Sequence, residues 1–135
     1  GESWHAGGIM VGASPARCGW RFDDRRCLVG CDSGLLYESH DGGLTYAAVP
    51  TGFPASSLIR SMWFVNDYQG FMAVDWAGPL GHIYRTNDGG ASWQDLTYVT
   101  NVGLNSIWAP SASYCVAVGK VATTGVILKV NAAYI

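Results

Sequence analysis

The sequence predicts an all-β fold assembled from repeated four-stranded antiparallel units, and three observations carry that expectation. A motif of the form Tyr-x-Ser/Thr-x-Asp-Gly-Gly-x-Thr/Ser-aromatic occurs twice, at Tyr37 to Tyr46 and at Tyr84 to Trp93, with a constant offset of 47 residues. Trp20, Trp63 and Trp108 follow one another at spacings of 43 and 45, each in a short apolar stretch. Only 13% of the 135 residues are charged, whereas 49% are apolar and 18 are glycine, and the apolar runs are cut by Gly, Pro, Asn and Asp with no helical period.

The elements follow in order, with the strands of each unit lettered a to d. Gly1 to Trp4 resembles Gly90 to Trp93, and Trp4 stands 24 residues before Leu28 as Trp93 stands before Ala117, so the chain opens inside a turn motif. Ser3 to Val11 is therefore expected to be strand d of a preceding unit, within residues 1–15. The first full unit is placed at 16–50, from Ala16 to Val49, and the second at 58–100, from Leu58 to Val99. A partial third unit occupies 104–135, with strand a at Leu104 to Ala109, b at Tyr114 to Gly119 and c at Val126 to Val130. Alignment supports it: Ser61-Met62-Trp63 matches Ser106-Ile107-Trp108, Ala73-Val74 matches Ala117-Val118, and Ile83-Tyr84-Arg85 matches Ile127-Leu128-Lys129. Asn131-Ala132-Ala133 replaces the Asp-Gly-Gly turn there. Pro50 to Ser57 and Trp76 to Leu80 read as loops.

Four-stranded units repeating every 42 to 47 residues are the signature of β-propeller blades, each of which needs neighbours to bury its faces. The permuted order d-abcd-abcd-abc amounts to about three blades, an incomplete ring. Two arrangements would complete it: a longer polypeptide of which this chain is a segment, or association of identical copies, two of which make six blades.

In each motif the glycines supply positive φ and the aspartate accepts turn N–H groups, while the aromatic residue covers the turn from the next strand. The segment Thr86 to Trp93 resembles the Asp-box, or BNR repeat, of sialidases, xyloglucanases, sortilin-type receptors and photosynthetic assembly factors; Ser39 to Tyr46 is a variant with Tyr for Trp. The structural positions are Ser39, Asp41, Gly42, Gly43 and Tyr46 in one copy, and Thr86, Asp88, Gly89, Gly90, Ser92 and Trp93 in the other. The run from Met62-Trp63-Phe64-Val65 through Gly70-Phe71-Met72-Ala73-Val74 to Trp93 is similar to blades of the photosystem II assembly and stability factor type. That resemblance implies a protein-binding scaffold in a photosynthetic complex and a thylakoid-lumen or other extracytoplasmic location.

Composition removes several function classes. The formal charge of −2 offers no pull toward nucleic acid, and no apolar run approaches the ~20 residues of a membrane helix. Cys18, Cys27, Cys31 and Cys115 lack zinc-ribbon spacing; Cys18 bridges Cys27 or Cys31 only if the chain doubles back between them, and Cys115 reads as a buried apolar residue. No cofactor or metal site is expected, since His5, His40 and His82 occupy different repeat positions and read as solvent-facing or turn residues.

A glycosidase needs two carboxylates facing one cleft. Asp41 and Asp88 are assigned to turns, and Asp75, Asp95, Asp32, Asp67 and Glu38 form no distinctive pair, so no catalytic residues are nominated. Arg17 to Arg26 alternates arginine with aspartate, which reads first as a solvated loop with local ion pairs. Its second reading is a partner-docking loop, because Arg21, Arg25 and Arg26 interleave with Trp20 and Phe22, residue types enriched at binding hot spots. Trp76, outside the repeat, is either locally packed or a contact for a partner or sugar. The leading reading is a non-enzymatic scaffold for protein partners or further blades; the alternatives are carbohydrate recognition, including a glycoside hydrolase fragment, and an architectural subunit of a larger assembly.

Overall fold

A computed structural model describes residues 14–132, and the expected strand at Ser3 to Val11 lies outside them. The described chain forms three antiparallel sheets. The first has the order β1 (Ala16–Arg21), β2 (Cys27–Cys31), β3 (Leu36–Ser39) and β4 (Ala47–Val49); the second is β5 (Leu58–Phe64), β6 (Gly70–Trp76), β7 (Leu80–Thr86) and β8 (Gln94–Thr100). The third contains β9 (Gly103–Ser111), β10 (Tyr114–Val121) and β11 (Thr124–Asn131). Each sheet is a meander of sequential strands, the arrangement of a propeller blade, and together they make part of a ring.

Alternation decides what each sheet buries, because successive side chains on a strand point to opposite faces. On β6, Phe71 and Ala73 face the third sheet, where they join Ile83, Leu104, Ile107, Ala109, Cys115 and Ala117 in one core. Met72 and Val74 face the first sheet and join Leu28, Leu36, Ile59, Met62, Phe64 and Tyr84 in a second. Both cores therefore lie between blades. β6 is buried along Gly70 to Asp75 because it is covered on both sides. At about 1.5–3 kcal/mol for each fully buried large apolar side chain, these interfaces dominate the stability of the assembly.

Aromatic packing continues the first interface. Trp20 lies against Trp63 with ring centroids 5.1 Å apart, and Phe22 meets Phe64 edge-on at 4.7 Å. Gly30 is required there for space: a Cβ would come within 2.4 Å of Ile59 Cγ2. Opposite charges brace the seams. Arg60 pairs with the buried Asp75 at 3.1 Å, and Asp75 also accepts the Leu104 amide at 2.8 Å, tying the second blade to the third.

The ladder corrects one alignment. The row Ser61, Ala73, Ile83 in the second sheet corresponds to Ser106, Val118, Ile127 in the third, so Ala73 is equivalent to Val118 and not to Ala117. Ala73 and Ala117 project from opposite sides of their blades into the same core. A one-residue slip exchanges the faces of a strand, and two small apolar dipeptides cannot reveal it. The third sheet also extends further than its apolar run, because Val121 pairs with Thr124 across a two-residue turn in which Ala122 has φ of 50°.

The four cysteines are free thiols. Cys18 pairs across the sheet with Gly30, whereas Cys27 is opposite Arg21, so the doubling back occurs without a bridge. Burial pushes the Cys18 and Cys115 thiols up to about 12.

Truncating Phe71 to alanine should lower stability by about 3–5 kcal/mol in urea unfolding, since it empties the core between the second and third blades. Tyr68→Ala, at an exposed loop position, should stay within about 0.5 kcal/mol.

Candidate functional site

The two Asp-Gly-Gly turns are built by the same hydrogen bonds. Ser39 Oγ donates to Asp41 Oδ1 at 2.8 Å and accepts the Gly43 amide at 2.8 Å, while Asp41 accepts the Leu44 and Thr45 amides and the Thr45 hydroxyl. In the second turn Thr86 Oγ1 donates to Asp88 Oδ1 at 2.8 Å and accepts the Gly90 amide at 2.9 Å, and Asp88 accepts the Ser92 amide and hydroxyl. The paired glycines repeat as well, with φ of 76° and 93° at Gly42 and Gly43 and of 74° and 95° at Gly89 and Gly90, a region that carries no side-chain penalty only for glycine. Trp93 Nε1 closes its turn by donating to Gly90 O at 3.0 Å.

These bonds set the electrostatics. The Thr45 hydroxyl and amide, with the Ser39 hydroxyl, hold the Asp41 carboxyl down at about 2. Burial pushes Asp88 upward, but the Ser92 and Thr86 bonds outweigh it and leave its pKa lowered. The turn carboxylates are thus spoken for.

Each turn is clasped by the loop joining the first two strands of its blade. The Gly42 amide donates to Arg25 O at 2.9 Å, and the Gly89 amide to Tyr68 O at 2.8 Å. Asp23 Oδ1 accepts the Arg25 and Arg26 amides, which lower its pKa, as Asn66 Oδ1 accepts the Tyr68 and Gln69 amides in the next blade. The Arg17 to Arg26 segment is therefore mostly strand β1 followed by a tight turn.

Within it the candidate docking residues separate. Arg26 is half-buried and crosses the seam: its guanidinium donates to Glu38 at 3.1 Å and to the Gly89 carbonyl, and lies 4.1 Å over the Phe22 ring. Trp20 and Phe22 are half-buried in the same seam. Arg21 and Arg25 are exposed, with Arg21 paired to Asp24 at 2.7 Å. Three clefts of about 160, 190 and 430 Å³ surround this loop. The largest spans the first two blades and is lined by Asp23, Glu38, Asp67 and Asp88 beside Phe22 and Tyr68.

Trp76 does not join them. It ends β6, paired with Leu80 and not in a loop, at the end of the strand opposite the Gly70 turn. Its ring stacks on His82 at 4.0 Å. His82 departs from the solvent-facing expectation: it is 3% exposed, with Nδ1 2.8 Å from Asp95 Oδ2 and Tyr98 stacked beyond it. Its position on β7, directly across from the buried Val74, was the available signal. Asp75, which forms no distinctive carboxylate pair in the sequence, is buried in the interblade seam by its strand position. His40 remains exposed and pairs with Glu38, while His5 lies outside the described residues. Among the described residues, no three His, Cys, Asp or Glu side chains converge as a metal site.

Comparison with solved structures places the fold. The chain is similar to YCF48 bound to D1 peptide, with a TM-score of 0.73 and 18% identity over 91% of this chain and 39% of that one. It is also similar to YCF48 from Cyanidioschyzon merolae, at a TM-score of 0.70 and 18% identity over 95% and 41% of the two chains. An ancestral GH74 enzyme matches with a TM-score of 0.66 and 21% identity over 86% of this chain and 17% of its own. No family profile and no curated protein matches the chain. The fold is that of a β-propeller, of which this chain spans about two fifths of the YCF48 length.

The turn carboxylates make a pH prediction. The Asp41 pKa is depressed from 3.8 to about 2 on folding, so its contribution is complete above pH 3.8 and is lost as pH falls through about 2. Urea midpoints measured across that range should fall steeply for the native chain, and less steeply for Asp41→Asn, which starts less stable at neutral pH.

Proposed function

We propose that this chain is part of a non-enzymatic propeller scaffold whose β1–β2 loop end docks an extended segment of a protein partner, in an assembly or stability role. The observation that carries this reading is that three clefts adjoin one another along Trp20 to Arg26, with exposed Arg21, Arg25 and Tyr68 on their rims. Aromatic and arginine side chains around a preformed cleft are the residue types that anchor protein interfaces. The likeness to a propeller solved with a D1 peptide supports a peptide ligand, and the resemblance of the Met62 to Trp93 run to photosystem II assembly-factor blades is what points to a photosynthetic complex in the thylakoid lumen or another extracytoplasmic compartment.

The carboxylates support the non-enzymatic side. Asp41 and Asp88 serve their turns, Asp75 is held by Arg60 and the Leu104 amide, and Asp95 is bound to His82. Carbohydrate recognition at Trp76 draws on the fold shared with a GH74 enzyme, but that ring already stacks on His82.

Fluorescence anisotropy with a labelled D1 peptide tests the reading. Binding is expected, and Arg21→Glu with Arg25→Glu should weaken it at least tenfold with the melting temperature unchanged; unaltered binding removes the loop from the interface. A glycan-array response abolished by Trp76→Ala would move the function to carbohydrate. Arg26→Ala should instead cost stability, roughly 1–3 kcal/mol, because it leaves Glu38 and the Gly89 carbonyl without their shared donor.

A further inference from the structure

The β1–β2 and β5–β6 loops are built by the same bonds, residue for residue. The Phe22 amide donates to the Arg26 carbonyl as the Val65 amide does to Gln69, each at 2.9 Å. Asp23 Oδ1 accepts the Arg25 and Arg26 amides, and Asn66 Oδ1 accepts those of Tyr68 and Gln69. This register pairs Arg21 with Phe64, Asp24 with Asp67 and Arg25 with Tyr68, so each charge in one loop has a defined counterpart in the other. In the first loop Arg21 pairs with Asp24 at 2.7 Å. In the second, Phe64 holds the arginine position and is buried in the seam. Asp67 is thereby left without a cation, and its carboxylate makes no hydrogen bond or ion pair with any described residue.

Tyr68 stands next to it, 68% exposed, with its carbonyl held by the Gly89 amide at 2.8 Å. Both residues line the cleft of about 430 Å³ that spans the first two blades, which Asp23, Glu38 and Asp88 also border. Four carboxylates thus face a single guanidinium, and Arg26 commits that charge to Glu38.

We propose that this cleft receives a lysine or arginine side chain of the docked partner segment, with its cation against the Asp67 carboxylate and the Tyr68 ring. The inference rests on the docking reading above and names the chemistry of the segment. Charge complementarity selects the occupant, because a carboxylate without a counter-ion beside an exposed ring gives one side chain both an ion pair and a cation–π contact. The loop backbone is already fixed, so docking orders little of this chain. Asp23 Oδ1 is taken up by amides, Asp88 by its turn and Glu38 by Arg26 and His40, which leaves Asp67 as the one lining carboxylate with no intramolecular partner. Arg21 and Arg25 border a neighbouring cleft and not this one, so acidic and basic positions of a partner are read at separate points.

A random peptide library displayed on phage and selected on the full 135-residue chain tests this. Peptides carrying Lys or Arg should be enriched on the native chain and lose that enrichment on Asp67→Asn. One selected peptide is then labelled and titrated by fluorescence anisotropy. Asp67→Asn should weaken it about tenfold and Tyr68→Ala about threefold, both with an unchanged melting temperature. Replacing the peptide's basic residue by norleucine should weaken binding to the native chain as much as Asp67→Asn does, and should change binding to Asp67→Asn little further. That coupling separates a direct contact from a general effect of charge. Enriched peptides without a basic residue, or a norleucine replacement that costs the same on both chains, would overturn the inference and leave the docking reading standing. Selection of no peptide by the native chain would overturn the docking reading, and this inference with it.

Discussion

Every other feature of this chain depends on the fact that a blade cannot cover its own faces. A four-stranded meander buries its backbone hydrogen bonds internally, but each of its two faces carries apolar side chains that only a neighbouring sheet can remove from water. The second sheet shows the solved case: Phe71, Ala73 and Ile83 on one side and Met72, Val74 and Tyr84 on the other are all buried. The buried charges follow from the same packing. Asp75 is held where two blades meet, and it is tolerated there because Arg60 and the Leu104 amide satisfy its oxygens.

The Asp-Gly-Gly turns serve a different requirement. They reverse the chain between the third and fourth strands of a blade while the hydroxyl and carboxylate of the motif take up amides of the turn, and the preceding loop locks onto the first glycine's amide. A rigid rim results, since Arg21 ends strand β1 and the loop after it, which carries Arg25, is fixed by Asp23 and by the turn it clasps. Arg26 shows how structure and recognition divide within six residues. Its planar guanidinium serves Glu38, the Gly89 carbonyl and the Phe22 ring at once, a role a lysine could not fill. The residues left exposed around it are those available to a partner.

Legibility differed with the range of the interaction. The turns were readable from Ser39 to Tyr46 and Thr86 to Trp93 because their bonds are local, spanning at most four residues. His82, Asp95 and Trp76 were not, since their stacking and hydrogen bond join different strands through the ladder register. The equivalence of Ala73 with Val118 was hidden for a related reason: small apolar residues match at either of two offsets, and only pairing with Trp63 and Trp108 on the neighbouring strands resolves them.

The sequence by itself determined the repeat, the blade and its turns, because strand alternation and glycine-dependent turns depend on near neighbours. Only the tertiary structure decided which face of each blade is covered, and that Arg26 belongs to the seam while Arg21 and Arg25 do not. Those outcomes depend on how one sheet is rotated against the next, and that rotation is set by side chains 40 or more residues apart, such as Cys18 against the Ile59 carbonyl and Arg26 against Gly89.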